Sequence, residues 1–422
     1  MIRLATLTAL VGIILVEVLG LPFAAAQPND ISILEEQAMQ AAVARVADSV
    51  VKIETVGGLE KVGSVLIGTG PTTGLVVDAD GYIISSTYNF IQKPTSILVT
   101  LSNGKKAAAE IVTRDNSRKL VLLKVNTDKK LKVPTAVPAD EVEIGQWAIA
   151  VGRTFGGDFP NLSVGIISAK NRIWGRALQA DSKISPANYG GPLVDIRGRV
   201  FGVLAPQSPQ NGSDAGGAEW YDSGIGFAIP LEDVFAVLER LKAGEELYRG
   251  LLGISLKGKN DMSDAPIIAA APAGTPAAKA GIKNGDQVVS VNGTAVQTQS
   301  QLKMALGRFY AGDEIALRLK RGDEQIDTKA TLTDKVEPYQ LPCLGILPMR
   351  TAAENAAGVK VRYVYPDSSA DKAGIKVGDT LQKLNKEELA TAEAWRESLA
   401  AIDLEEAIKV ELDRDGKTVA VT

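Results

Sequence analysis

Between residues 51 and 230 the apolar positions fall in short runs rich in Val, Ile and Leu, at 64–67, 74–77, 82–85, 96–101, 120–125, 147–151 and 200–204. Turn strings divide them, among them Asp78-Ala79-Asp80-Gly81, Ser102-Asn103-Gly104 and Asp195-Ile196-Arg197-Gly198. Short strands punctuated in this way predict an antiparallel barrel or sandwich. On either side the apolar period lengthens toward that of a helix. Residues 30–51 predict one short amphipathic helix ahead of the first strand, and residues 231–241 predict one helix that closes the β unit before a charged linker, Lys242-Ala243-Gly244-Glu245-Glu246.

The rest of the chain repeats itself. Lys279-Ala280-Gly281-Ile282-Lys283-Asn284-Gly285-Asp286 returns as Lys372-Ala373-Gly374-Ile375-Lys376-Val377-Gly378-Asp379, and Leu252-Gly253-Ile254 returns as Leu344-Gly345-Ile346. Two offsets that agree to within one residue predict two tandem domains of about 85 residues. Gly281 and Gly374 fit the left-handed position that ends a helix, and Asn292-Gly293 fits a hairpin turn.

Composition removes whole classes of chemistry. The 422 residues contain no histidine, so no Ser-His-Asp or Cys-His relay and no His-ligated zinc can be built, and neither metal nor cofactor is expected. A formal charge of -4 from 46 basic and 50 acidic residues gives no grip on nucleic acid. At the N-terminus, Arg3 precedes an apolar run from Leu4 to Val16, and Ala24-Ala25-Ala26 precede Gln27. That order predicts a secretory signal peptide over residues 1–26, cleaved after Ala26, and hence an exported chain that meets a membrane only if the segment stays uncleaved. The single cysteine, Cys343, lies in the apolar string Leu341-Pro342-Cys343-Leu344-Gly345-Ile346 and is expected to be buried and structural.

Five strings carry a resemblance: Gly74-Leu75-Val76-Val77-Asp78-Ala79-Asp80-Gly81-Tyr82-Ile83, Leu122-Leu123-Lys124-Val125, Ser163-Val164-Gly165-Ile166-Ile167-Ser168-Ala169, Gly190-Gly191-Pro192-Leu193-Val194 and Gly224-Ile225-Gly226-Phe227-Ala228-Ile229-Pro230. In this order, ahead of a tandem repeat, they resemble the bacterial HtrA (DegP-like) family of exported, periplasmic serine endopeptidases of protein quality control. The resemblance implies a mainly β fold, a trypsin-like double β-barrel over residues 27–245, followed by two α+β PDZ domains over 247–336 and 339–422. It also implies trimers, commonly held by aromatic residues near the mature N-terminus, although the first aromatic after residue 26 is Tyr82.

The catalytic strings depart from that pattern. Where the family places its histidine the chain reads Ser85-Ser86-Thr87-Tyr88-Asn89-Phe90, where it places its aspartate Lys119-Leu120-Val121-Leu122, and where it places its serine Ala187-Asn188-Tyr189-Gly190-Gly191-Pro192. Tyr88, Lys119 and Tyr189 thus stand at the three triad positions. A phenol with a reference pKa of about 10 is no base at neutral pH, and an ammonium cannot stabilise a cationic partner. The remnant oxyanion loop, Ala187, Asn188, Tyr189 and Gly190, could keep part of its shape through backbone N–H groups. Two rescues are conceivable: a Ser-Lys dyad drawn from Ser182, Lys183, Ser185 and Lys119, or a Tyr189 phenol activated by Lys119. Peptide capture needs no triad, since a PDZ domain adds a peptide as a strand and holds its terminal carboxylate on loop N–H groups. The candidates are Arg249, Leu251, Leu252, Gly253 and Ile254 in the first copy and Cys343, Leu344, Gly345 and Ile346 in the second. The sequence therefore predicts a non-catalytic, chaperone-like or regulatory binder of peptides and unfolded protein C-termini, as a homotrimer or assembled with an active paralogue. The competing reading is an active endopeptidase with a non-standard catalytic group.

Overall fold

The computed structural model describes residues 30–57, 70–91, 93–154, 159–208, 223–336, 343–349, 358–385, 387–400 and 407–422. The signal segment and the strand expected at 64–67 lie outside them. Helix α1 (Ile31–Val46) starts where the Asp30 carboxylate accepts the Ser32 N–H, and it buries Ala42, Val43 and Val46.

Two closed six-stranded barrels follow. The first runs β1 (Val50–Val56), β2 (Thr72–Asp78), β3 (Tyr82–Ser86), β4 (Ser96–Thr100), β5 (Lys106–Asp115) and β6 (Leu120–Val125), paired in the order β1-β2-β3-β6-β5-β4. The second runs β7 (Trp147–Gly152), β8 (Asn161–Asn171), β9 (Ala177–Ala180), β10 (Pro192–Val194), β11 (Val200–Leu204) and β12 (Gly226–Pro230), paired β10-β11-β12-β9-β8-β7. Alternate side chains divide the apolar surface into an interior for each barrel, such as Ile53, Ile83 and Leu123 in the first and Leu178, Leu193 and Phe201 in the second. A third cluster, with Leu75, Ile84, Leu120, Val151 and Ile229, fills the seam between the barrels and takes in α1.

The single helix expected over 231–241 is two helices, α2 (Leu231–Ala236) and α3 (Leu238–Lys242). The backbone leaves helical geometry at Val237 (φ -113°, ψ 5°), so that Leu231 and Val234 on one side and Leu238 and Leu241 on the other all reach the seam.

The first repeat contains β13 (Ser255–Leu256), β14 (Ile268–Ala270), α4 (Pro276–Lys279), β15 (Gln287–Val291), β16 (Thr294–Ala295), α5 (Gln299–Leu306), β17 (Glu314–Arg321) and β18 (Glu324–Thr331). The second copies that order with β19 (Ile346–Pro348), β20 (Val359–Val364), α6 (Ser369–Lys372), β21 (Thr380–Leu384), β22 (Glu387–Glu388), α7 (Ala392–Ala400), β23 (Val410–Arg414) and β24 (Lys417–Val421). The repeated Gly-Asp string explains itself in space. Buried Asp286 accepts both Arg321 Nε (2.7 Å) and Nη2 (2.8 Å), while Nη2 also reaches the Gly281 carbonyl that ends α4. Asp379, Arg414 and Gly374 repeat the arrangement at the end of α6. Asn292-Gly293 makes the expected turn between β15 and β16, with φ 45° and 79°.

The first repeat is docked on the barrels. Tyr310 is 3% exposed and belongs to the seam cluster. Its hydroxyl donates to Asp115 (2.6 Å) at the end of β5 and accepts from Arg118 in the turn to β6, whose guanidinium also meets Asp233 of α2 at 3.1 Å. Burial pushes the Asp115 carboxyl up, and with Asp115 beside it holds the Tyr310 phenol well above its usual range. The linker is pinned as well: Leu247 N–H donates to the Arg114 carbonyl (3.0 Å) and Asn116 N–H to the Leu247 carbonyl (2.8 Å).

Candidate functional sites

The three triad positions come together through two neighbouring strands and the loop between β9 and β10. Ser86 ends β3 opposite Leu120 of β6, so the next residues on each strand, Thr87 and Lys119, bond to one another, Thr87 N–H to the Lys119 carbonyl at 2.9 Å. Tyr88 follows in a 3-10 turn, Thr87–Phe90, and its N–H donates to the Ser86 hydroxyl (3.3 Å). Lys119 is buried and left-handed (φ 59°). Across the cleft the Tyr189 ring, 3% exposed, meets the Tyr88 ring edge-on at 5.3 Å and 76°. Burial pushes the Tyr88 phenol above its usual pKa, which moves it further from acting as a base. Two aromatic rings thus occupy the space where a hydroxyl and an imidazole would meet.

The loop that would offer an oxyanion hole has turned its donors inward. Tyr189 N–H donates to the Ser185 carbonyl (3.1 Å), Gly190 N–H to Leu204 (2.7 Å) and Gly191 N–H to Asn188 (2.9 Å), while Asn188 N–H shares the Ser185 carbonyl. Of the remnant oxyanion loop, Asn188, Tyr189 and Gly190 thus spend their N–H groups within the fold, while the Ala187 N–H has no acceptor among the described residues. Sequence reasoning also missed what clamps the loop: the hydroxyls of Thr72 and Thr73 on β2. Thr72 donates to the Tyr189 carbonyl at 2.8 Å; Thr73 donates to the Ala187 carbonyl at 2.8 Å and accepts the Arg153 N–H at 2.8 Å. Gly190 sits at φ 83°, and a Cβ there would lie 2.2 Å from Ser85 Oγ, so only glycine lets the strands close this tightly. Of the residues offered for a dyad, Ser182 donates to the Ala148 carbonyl (2.7 Å) and Ser185 N–H is taken by Asn188 Oδ1 (2.8 Å). Lys183 lends its carbonyl to Ser163 and Asn188.

In the first repeat Leu251 pairs with Thr333 in both directions, and the Leu252 carbonyl accepts Ala277 N–H from α4 (3.0 Å), so the segment is anchored on its inner side. Gly253 takes φ 74° and passes against Thr275, where a Cβ would lie 2.6 Å from the Thr275 Cβ. Among the described residues the N–H groups of Leu252, Gly253 and Ile254 have no acceptor. In the second repeat the Leu344 carbonyl accepts Ala370 N–H (2.8 Å), Gly345 takes φ 81° beside Ser368, and Ile346 pairs with Val364. Arg249 lies at the domain junction instead, bridged to Tyr310 and close enough to Arg176 to help, after burial, to lower that guanidinium to about 10. Cys343 is exposed, which corrects the buried cysteine expected from its neighbours. Leu344 and Ile346, not Cys343, are the residues of this string that pack on the second repeat's core.

Comparison with known proteins agrees with this architecture. The chain matches the family described as trypsin-like peptidase domain over residues 72–203 and the PDZ domain family over residues 250–332. It is 30% identical over 379 residues to a probable periplasmic serine endoprotease, DegP-like, of Halomonas elongata, covering 83% of this chain and 77% of that one. A protein of the same description from Chlamydia trachomatis is 30% identical over 354 residues, 78% of this chain and 69% of the other. The serine endoprotease of Yersinia pestis superposes with a TM-score of 0.50 at 27% identity, covering 71% of this chain and 98% of its own. The chain belongs to the HtrA/DegP-like family of serine endoproteases.

Proposed function

We propose that this family member is a periplasmic peptide binder with no protease activity, chaperone-like or regulatory in role. One observation carries it: a chain without histidine fills the triad site with Tyr88 and Tyr189 in ring contact, and the N–H groups of Asn188, Tyr189, Gly190 and Gly191 beside them are consumed internally. The hydroxyls of Ser85 and Ser182, buried nearby, are likewise bonded to backbone carbonyls, which argues against these two as alternative nucleophiles. Binding is assigned to the first repeat, whose loop at 252–254 presents unpaired N–H groups beside the single-edged strand β13. The second repeat, alike in layout, is assigned the same role at Gly345 and Ile346, so that it too is a PDZ domain. Self-association belongs to this reading, supported by the exposed Phe159, Leu162 and Ile166 on the second barrel.

The test is fluorescence anisotropy on the mature chain with labelled peptides ending in an apolar residue. Free acids bind more tightly than their C-terminal amides, because amidation removes the charge that the loop donors attract. Equal affinity for both forms sinks carboxylate capture.

A further inference from the structure

We propose that the second barrel carries, at its end away from the triad cleft, a binding site for a small zwitterion with an apolar side chain, of which the apolar α-amino acids are the simplest members. A cavity of about 200 Å³ opens there against the first repeat. Its floor is Val137, Val142, Leu178 and Phe201, all buried and all part of the barrel's own interior cluster. Strand register fixes which end this is. β9 and β12 pair Ala180 with Gly226, and beyond Ala180 the chain enters the loop that carries Tyr189. Ala177 and Pro230, which line the cavity, stand at the opposite ends of the same two strands. Barrel mouths and domain junctions are where ligand pockets form, and this one is both.

The rim carries both signs of charge. The Lys170 ammonium donates to the Val142 carbonyl (2.6 Å), and Arg308, just beyond α5 of the first repeat, donates to Asn171 Oδ1 (2.9 Å). The Glu232 carboxylate accepts the Ala139 N–H (2.8 Å). Among the described residues neither cation meets a carboxylate and Glu232 meets no cation, so each head keeps donors or lone pairs to spare. Asp233, also on the wall, is held by Arg118 at 3.1 Å. A simple carboxylate matches Lys170 and Arg308 and leaves Glu232 unanswered, and a simple amine does the reverse. An α-amino carboxylate answers both from one carbon through charge-assisted bonds, while its side chain displaces water from the apolar floor. Size agrees, because an apolar cavity of roughly 150 Å³ holds benzene and this one therefore holds a side chain the size of leucine's or phenylalanine's.

The wall is built before any ligand arrives. Asn171, Ile173 and Trp174 all take left-handed backbone (φ 56°, 50° and 56°), as does Gly175 (84°). That conformation is costly for a β-branched residue and persists only where the surroundings enforce it, as they do at binding sites. Here the first repeat enforces it. Gly307 packs on the Trp174 carbonyl, Gly175 packs on that of Met304, and the Lys303 ammonium lies 5.2 Å over the Trp174 ring. Asn171, Gly175 and Arg308 are thus set by the same docking, and a molecule held between Arg308 and Glu232 joins the two domains.

Calorimetry on the whole mature chain with L-leucine and L-phenylalanine tests this, with an expected Kd of about 1 mM or tighter for a ligand of this size. L-Leucinamide and N-acetyl-L-leucine, each lacking one charge of the head, should bind at least about tenfold more weakly. Arg308→Gln and Glu232→Gln, both at exposed positions, should each weaken leucine by about fivefold or more. No binding of either amino acid at roughly 10 mM overturns the site, as do equal affinities for the two analogues or unchanged affinity in both variants. A free amino acid also presents a carboxylate to residues 252–254, so binding lost in Gly253→Val and kept in Arg308→Gln places the ligand there and overturns the proposal as well.

Discussion

Replacing Tyr310 by Phe removes one oxygen from the contact that docks the first repeat on the barrels. The ring keeps its place in the seam cluster, while Asp115, 1% exposed, loses a donor at 2.6 Å and the Arg118 guanidinium loses an acceptor. Asp115 retains the backbone N–H groups of Arg118 (2.9 Å) and Ser117 and the Arg118 guanidinium at 4.0 Å. A hydrogen bond to a charged group contributes about 1.5–3 kcal/mol, and leaving a buried partner unmatched puts the loss near the top of that range. At roughly 2–4 °C per kcal/mol for a unit of this size, the melting temperature of the whole chain should fall by about 5–10 °C. Thermal melts followed by circular dichroism read this shift. Limited trypsinolysis reads the docking, because Arg249 lies exposed just beyond Leu247, whose backbone bonds to β5 hold the linker; Tyr310→Phe should speed cleavage there. A melting shift below about 1 °C with unchanged cleavage would refute the idea that this phenol anchors the domain.

Arg321→Met should destabilise its repeat by about 2 kcal/mol in urea titrations, less than for a fully buried pair because the guanidinium head is largely exposed, and Arg414→Met should lower the midpoint of its repeat in the same direction. For Asp286 the pull of Arg321 and the Lys283 N–H outweighs burial, and for Asp379 Arg414 is the largest influence, so both carboxyls sit below their ordinary 3.8. Their contribution is therefore present above pH 3.8 and lost as pH falls below it. The wild-type urea midpoint should drop between pH 5 and pH 3, and the double Arg→Met variant should show a flatter profile. Gly253→Val forces a side chain into a left-handed site against Thr275 and should weaken the C-terminal peptide by about tenfold or more, with the acid-over-amide preference lost. Thr73→Val removes the clamp on the Ala187 carbonyl and the Arg153 N–H and should cost about 1–2 kcal/mol in thermal melts. The triple change Tyr88→His, Lys119→Asp and Tyr189→Ser should stay inactive on casein, because the N–H at position 189 is already spent on the Ser185 carbonyl.

Much of the fold could be read from local signals. The runs at 82–85, 120–125 and 200–204 are short, β-rich, nearly continuous apolar stretches, and the tandem Lys-Ala-Gly-Ile string marks a helix end that both repeats need. Flanking strings assign Tyr88, Lys119 and Tyr189 to the triad regardless of the residue each position holds, and the fold brings the Tyr88 and Tyr189 rings into contact. What escaped depends on partners distant in sequence. Tyr310 and Asp115 are 195 positions apart, and Thr73 and Ala187 are 114 apart, so nothing near either member announces the bond. Val237 broke a helix whose apolar pattern alone looked continuous, because both halves had to reach one seam. Cys343 was misjudged from an apolar string of which Leu344 and Ile346 face the core and the thiol does not.

The most direct test of the central claim is to treat the purified mature chain with a fluorophosphonate serine probe and weigh it intact, with casein incubated in parallel. The account predicts an unmodified mass and undegraded casein, since no histidine exists to activate a serine and two tyrosine rings fill the cleft. Stoichiometric labelling of any serine, with casein fragments that vanish when that serine is changed to alanine, would contradict it.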